Sequence, residues 1–233
     1  MPSQTYQARR GQIETYFDRV AADAWARLTS DAPVSGIRAT VRAGRDRMRA
    51  ILLGYLPADL RGRRILDAGC GTGAFAVAAA RRGAHVTAID LSPTLIQLAR
   101  ERLPHRLGLG EIDFRVGDML DSSLGRFDHV VAMDSLIHYR AADATAALSQ
   151  LAWRVGRSMI FTFAPRTPLL TLMHATGKLF PRGDRAPAIE PVSEAALLKA
   201  LEASPALDIW QAGRTQRVNS RFYQSQALEL VRT

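Results

Sequence analysis

Apolar residues in the first 56 positions recur at three- and four-residue steps. Ile13, Tyr16, Phe17, Val20, Ala24 and Leu28 line one face. After a break at Asp31-Ala-Pro33, a second stripe runs through Ile37, Val41, Met48, Ile51, Leu52 and Tyr55 and stops before Pro57. That period is helical, so the N-terminal part is predicted as helices. The second stripe carries Arg38, Arg42, Arg45 and Arg49 in one row on its other face. A solvated helix face accounts for such a row; the functional alternative is a strip that meets lipid phosphate or ligand carboxylates.

From residue 63 strand and helix patterns alternate. Short β-rich runs at 64–67, 85–90, 112–116, 129–134 and 158–164 are separated by helical stretches at 75–82, 93–103 and 143–154. Ser92 followed by Pro93 is a good helix start, a capping hydroxyl before a residue with no N–H to leave unsatisfied. Strands linked by helices make a parallel sheet covered on both faces. Past Pro165 the rhythm changes to an apolar helix at 168–180, a proline- and charge-rich loop at 181–191 and a capped helix at 193–203. Two strands at 208–218 and 221–230 follow, close enough to form a hairpin.

The size and balance of the chain, 233 residues with 47% hydrophobic and 23% charged, suit one large α/β domain with a small appendage. The longest apolar run, 74–80, is far short of the roughly 20 residues that cross a bilayer. Arg9, Arg10 and Glu14 deny the N-terminus the apolar core of a signal peptide, so a cytoplasmic protein is expected. Cys70 is the only cysteine, which excludes an internal disulfide and a cysteine metal cage. A net charge of +9 would suit a polyanion or an anionic membrane surface. Only Lys178 and Lys199 are lysines, however, and an arginine skew of this kind favours a plain solvated surface with room for an acidic ligand.

The sharpest local signal is Asp67-Ala-Gly69-Cys-Gly71-Thr-Gly73-Ala74 between a strand and a helix. Glycines there let the backbone approach a ligand, and the helix start adds free N–H donors. Gly69, Gly71, Ala74 and the later Asp90 also fit a dinucleotide site, which keeps an NAD-dependent oxidoreductase as an alternative. Two features favour S-adenosylmethionine. Asp67 would crowd a pyrophosphate but could hold the ammonium of a methionine moiety, and Asp118-Met119 offers an acceptor for an adenine amino group beside an apolar cover. Asp67, Asp90 and Asp118 would then end three successive strands on one edge of the sheet, where ligands of open α/β sheets bind.

On these residues the chain resembles class I S-adenosylmethionine-dependent methyltransferases over about residues 60 to 233. The resemblance implies a Rossmann-like, seven-stranded, mostly parallel sheet with an antiparallel last strand. It places Asp67, Gly69 and Gly71 at the methionine half of the cofactor, Asp90 at the ribose, Leu91, Asp118 and Met119 at the adenine, and Asp134 among the cofactor contacts.

Blocks outside that core are similar to the magnesium-protoporphyrin IX methyltransferases of chlorophyll and bacteriochlorophyll biosynthesis. They are Tyr16-Phe17 with Trp25, Val41-Arg-Ala-Gly-Arg-Asp46, Met133-Asp134-Ser-Leu-Ile-His138-Tyr139, Phe163-Ala-Pro-Arg-Thr167, Gly177-Lys-Leu-Phe-Pro181 and Arg221-Phe-Tyr-Gln-Ser225. This resemblance implies methyl transfer to the ring-C propionate of magnesium protoporphyrin IX, with S-adenosylhomocysteine as the other product and magnesium present only within the substrate. It implies substrate or catalytic roles for Tyr16 and His138, and a handover from the porphyrin-binding subunit of magnesium chelatase. Residues 1–57 would form a helical cap, 58–233 the cofactor-binding domain, and 165–191 an insertion that walls the porphyrin. A peripheral membrane contact through Arg38 to Arg49 is expected, and no nucleic-acid partner. A methyltransferase of the same fold acting on a quinone is the alternative substrate reading.

Overall fold

A computed structural model describes residues 3–20, 36–166, 188–220 and 222–233. The expectations for Ala24, Trp25 and Leu28, for Arg221, and for the apolar helix at 168–180 fall outside those residues. Seven strands form one sheet in the order β3-β2-β1-β4-β5-β7-β6. Strands β1 (Arg64–Ala68), β2 (His85–Asp90), β3 (Glu111–Val116), β4 (Phe127–Ala132) and β5 (Val155–Phe163) run parallel. β7 (Tyr223–Arg232) lies antiparallel between β5 and β6 (Trp210–Ser220), so the terminal hairpin forms as expected.

The sheet divides the core because successive side chains of a strand point to opposite faces. Leu66, Val130, Met159 and Phe161 pack on one side with α5 (Ala141–Ala152) and α6 (Glu194–Glu202). Ile65, Val131 and Ile160 pack on the other with α3 (Ala74–Ala80) and α4 (Pro93–Glu101). Among the described residues, the helices at the N-terminal end take different faces. Tyr6 and Ile13 of α1 (Gln4–Thr15) join the first cluster, whereas Met48, Leu52 and Leu53 of α2 (Gly36–Tyr55) join the second.

α2 sits close on the hairpin. A Cβ on Gly44 would stand 2.6 Å from the Tyr223 ring, so only glycine allows this approach. At the far end Arg214 of β6 holds the buried Glu229 with two of its nitrogens, bonds the carbonyls of Gly54 and Tyr55, and lies 4.5 Å over the Tyr55 ring.

Two local departures from the sequence pattern matter for the site. α1 stops at Thr15 and a π-turn, Tyr16–Val20, follows. Its wider spiral breaks the even stripe through Ile13 and Phe17 and leaves Tyr16 and Phe17 half-buried. β4 ends at Ala132, ahead of the predicted Asp134, which instead lies in the following loop at φ 55°. Among the described residues no helix is long and apolar enough to cross a membrane.

Candidate active site

The carboxyl ends of β1, β2 and β3 bring Asp67, Asp90 and Asp118 to one edge of the sheet, as the strand pattern predicts. Between β1 and α3, Gly69, Gly71 and Gly73 all take left-handed φ, at 81°, 53° and 78°. The loop folds back onto the second carboxylate. Asp90 accepts from the Gly71 N–H at 2.8 Å and from the Ser92 N–H at 3.0 Å. Asp67 is only 1% exposed, and its Oδ2 has no hydrogen-bond partner among the described residues. Burial, reinforced by the nearby Asp90 charge, pushes its carboxyl up to about 7. A buried acid with a free oxygen is matched by a cation, since burying a lone charge is costly.

Ser135 lies directly on the glycine loop: a Cβ on Gly69 would stand 2.4 Å from the Cβ of Ser135. The Ser135 hydroxyl is also buried and without a partner among the described residues. Sequence reasoning did not single out Ser135, although it belongs to the block that ends in His138 and Tyr139.

Asp118 is gripped by α1. Its Oδ1 accepts from the Tyr6 hydroxyl and the Leu120 N–H, both at 2.9 Å, and Arg10 pairs with Oδ2 at 3.2 Å. Tyr6 stacks on Tyr139 with ring centroids 4.7 Å apart, and burial pushes both phenols well up, so they stay protonated. Met119 is buried beside Asp118 and Leu91 is half-buried against the same core. Further contacts extend α1 across the strand ends. Ser3 and Thr5 donate to Asp143, Arg9 pairs with Glu190 at 2.8 Å, and Asp18 accepts from the hydroxyls of Ser92 and Thr94. Tyr6 and Arg10 were missed by the sequence reading; the signal available was Tyr6 seven residues before Ile13, two helical turns along one face.

Tyr16 and His138 meet through a shared neighbour. The Phe17 ring takes Tyr16 edge-on at 5.2 Å and His138 edge-on at 6.0 Å. His138 is buried in the 3₁₀ turn Leu136–His138, and burial pushes the Tyr16 phenol up. Asp134, at the start of this loop, accepts from Arg45 at 2.6 Å, from the single Tyr223 hydroxyl, which lies 3.0 Å from Oδ2 and 3.1 Å from Oδ1, from Ser225 at 3.1 Å and from Thr162 at 3.2 Å. Arg45 therefore turns inward, while Arg38 of the same row is exposed and Arg49 pairs with Asp46.

The chain matches two family models, "Magnesium-protoporphyrin IX methyltransferase C-terminus" over residues 132–232 and "Methyltransferase domain" over residues 65–157. It is 54% identical over 192 residues to the magnesium-protoporphyrin O-methyltransferase of Rhodobacter capsulatus, covering 82% of this chain and 85% of the relative. The crystal structure of the magnesium protoporphyrin IX methyltransferase of Synechocystis PCC 6803 with bound S-adenosylhomocysteine superposes with a TM-score of 0.79 at 31% identity, covering 96% of this chain and 99% of that one. The same Synechocystis enzyme with bound S-adenosylmethionine gives 0.77. A sheet in this order, with an acid-flanked glycine loop at its carboxyl edge and this degree of identity over most of its length, places the chain in the magnesium-protoporphyrin IX methyltransferase family.

Proposed function

We propose that this chain transfers a methyl group from S-adenosylmethionine to the ring-C propionate of magnesium protoporphyrin IX, giving the monomethyl ester for chlorophyll or bacteriochlorophyll synthesis. The observation that carries the reading is the 54% identity to the Rhodobacter relative over 82% of the chain. The residues fit the cofactor. Asp67 offers a buried oxygen without a partner among the described residues for an ammonium, and the left-handed Gly69, Gly71 and Gly73 let the loop turn tightly after β1 against Ser135 and Phe114. A pyrophosphate would meet that same carboxylate, which disfavours the dinucleotide reading.

In this reading Asp67, Gly69 and Gly71 hold the methionine half, Asp90 the ribose hydroxyls, and Leu91, Asp118 and Met119 the adenine. Asp118 would exchange α1 donors for the adenine amino group, so α1 doubles as a cover. When bound, the cofactor supplies a methyl group activated on a positively charged sulfur. A propionate resembles a glutamate side chain, with a pKa of about 4.3, and is ionised near neutrality, so the protein need not supply a strong base. Its residues instead orient the carboxylate and exclude water. The Tyr16 hydroxyl, protonated at neutral pH, donates to the propionate; His138 orients the same group or takes a proton from a carboxyl that arrives protonated.

Residues 1–57 act as a cap over the cofactor-binding part, 58–233; most of 165–191, the expected substrate wall, lies outside the described residues. The porphyrin is handed over by the porphyrin-binding subunit of magnesium chelatase. A peripheral contact with anionic membrane is made from the α2 surface, where Arg38 is exposed.

The direct test supplies purified protein with S-adenosylmethionine and either magnesium protoporphyrin or metal-free protoporphyrin, and resolves the esters by chromatography. Monomethyl ester from the metallated substrate is expected. No ester from either porphyrin, with cofactor binding intact, would reject the substrate and leave the methyltransferase fold.

A further inference from the structure

Three blocks that are far apart in the chain converge on one carboxylate. Arg45 comes from the block at 41–46 on α2, Tyr223 and Ser225 from the block at the start of β7, and Asp134 itself from the block that contains His138. Thr162 of β5 completes the set and also accepts from the Asp134 backbone N–H at 2.7 Å. A carboxylate offers about four acceptor positions on its two oxygens. The Asp134 side chain is 6% exposed, and four side chains each direct one donor at it, with the Tyr223 hydroxyl shared between both oxygens.

The backbone at this point is left-handed, at φ 55°, in a residue that is not glycine. Such a conformation is uncommon outside Asn and Asp and persists where the surroundings hold it. Its consequence lies downstream. The next residue, Ser135, sits on Gly69 of the cofactor loop, and His138 follows in the same 3₁₀ turn against Phe17.

We propose that Asp134 is a positioning residue, which through Arg45, Tyr223, Ser225 and Thr162 locks α2 and the hairpin to the loop that carries Ser135 and His138. Its carboxylate is filled by protein donors, so it acts on the reaction by fixing that loop and not by touching the cofactor. This replaces the cofactor contact that the resemblance implies for Asp134. It rests on the reading that His138 meets the substrate.

Asp134→Asn isolates the charge, because asparagine tolerates the left-handed region. Tyr223→Phe removes one hydroxyl and keeps the ring against Gly44. For both variants, S-adenosylhomocysteine affinity by calorimetry should stay within about threefold of wild type, while kcat falls by about tenfold for Asp134→Asn and less for Tyr223→Phe. The double variant should lose no more than Asp134→Asn alone, as expected of groups acting as one unit. The His138 ring resonances should shift in both, without substrate present, which keeps the test independent of the substrate assignment.

A loss of S-adenosylhomocysteine affinity in Asp134→Asn alone, matching that of Asp90→Asn, would overturn the proposal in favour of direct contact. So would lowered melting temperatures with unchanged kcat and unshifted His138 resonances, the mark of a purely structural role. If Asp134→Asn does not fold, Tyr223→Phe and Arg45→Met carry the same comparison.

Discussion

Asp67 and Asp90 stand near the ends of adjacent parallel strands, yet only Asp90 has backbone donors on both carboxylate oxygens. The asymmetry follows from the glycine loop, which turns the Gly71 N–H toward β2. Asp67 is left buried, short of a donor and repelled by its neighbour, with its carboxyl pushed up to about 7.

Cofactor binding should therefore release a proton near neutrality. An ammonium beside Asp67 favours the ionised form, so affinity rises with pH through about 7 and levels off above it. Calorimetry of S-adenosylhomocysteine binding at pH 6.5, in buffers of different ionisation heat, reads that proton directly. Asp67→Asn should bind more weakly and lose the buffer dependence; an unchanged dependence would assign the proton elsewhere.

Tyr16→Phe and His138→Ala should lower turnover and leave cofactor affinity intact, because both residues flank Phe17 and not the glycine loop. Loss of one orienting or proton-transfer group costs roughly tenfold or more in kcat. Wild-type turnover in both variants would remove them from the substrate site.

Gly69→Ala tests how closely the two loops approach. An L-residue at φ 81° costs about 1 kcal/mol. The new Cβ would also stand 2.4 Å from Ser135, an overpacking of about 1–3 kcal/mol. Together these should lower the melting temperature by roughly 5–15 °C. S-adenosylhomocysteine affinity should fall by about tenfold or more. Wild-type behaviour would mean that Ser135 moves away at no cost.

His129 sets a different pH response. It is buried on β4 with Nδ1 2.7 Å from the Ser158 hydroxyl, and burial pushes its pKa down to about 4. Below the ordinary value near 6.5 the unfolded chain takes up a proton that the folded chain refuses, so stability falls as pH drops from 6.5 to 4. The loss from this group is on the order of 3 kcal/mol. Asp67 works in the opposite sense over an overlapping window. Its raised pKa lets the folded chain keep a proton between pH 4 and 7 that the unfolded chain loses, so its contribution falls as pH rises. Denaturant unfolding of His129→Gln should remove the acid-side loss and expose the Asp67 trend; the same pH profile as wild type would exclude His129 as its source.

The strand-helix alternation, the glycine loop and the three acids at successive strand ends were legible in the sequence because each rests on local rules. Parallel strands need a period of apolar runs, tight turns need glycine, and the ends of parallel strands share one edge. Boundaries drifted where no local signal marks them. Met133 continues the apolar run of β4 past its end at Ala132, and the π-turn after Thr15 breaks a stripe whose spacing is even in sequence.

Tertiary structure alone decided which charges pair. Arg38, Arg42, Arg45 and Arg49 are equivalent by spacing, yet Arg45 reaches a buried carboxylate 89 positions away, and nothing nearby in sequence announces it. Tyr6 and Arg10 gripping Asp118, and Ser135 seated on Gly69, are likewise set by how helices and loops stack over the sheet. Local periodicity fixes which face of an element is apolar. The partner of a polar group depends on three-dimensional distance and on the cost of leaving it buried without one, and those exist only once the chain has folded.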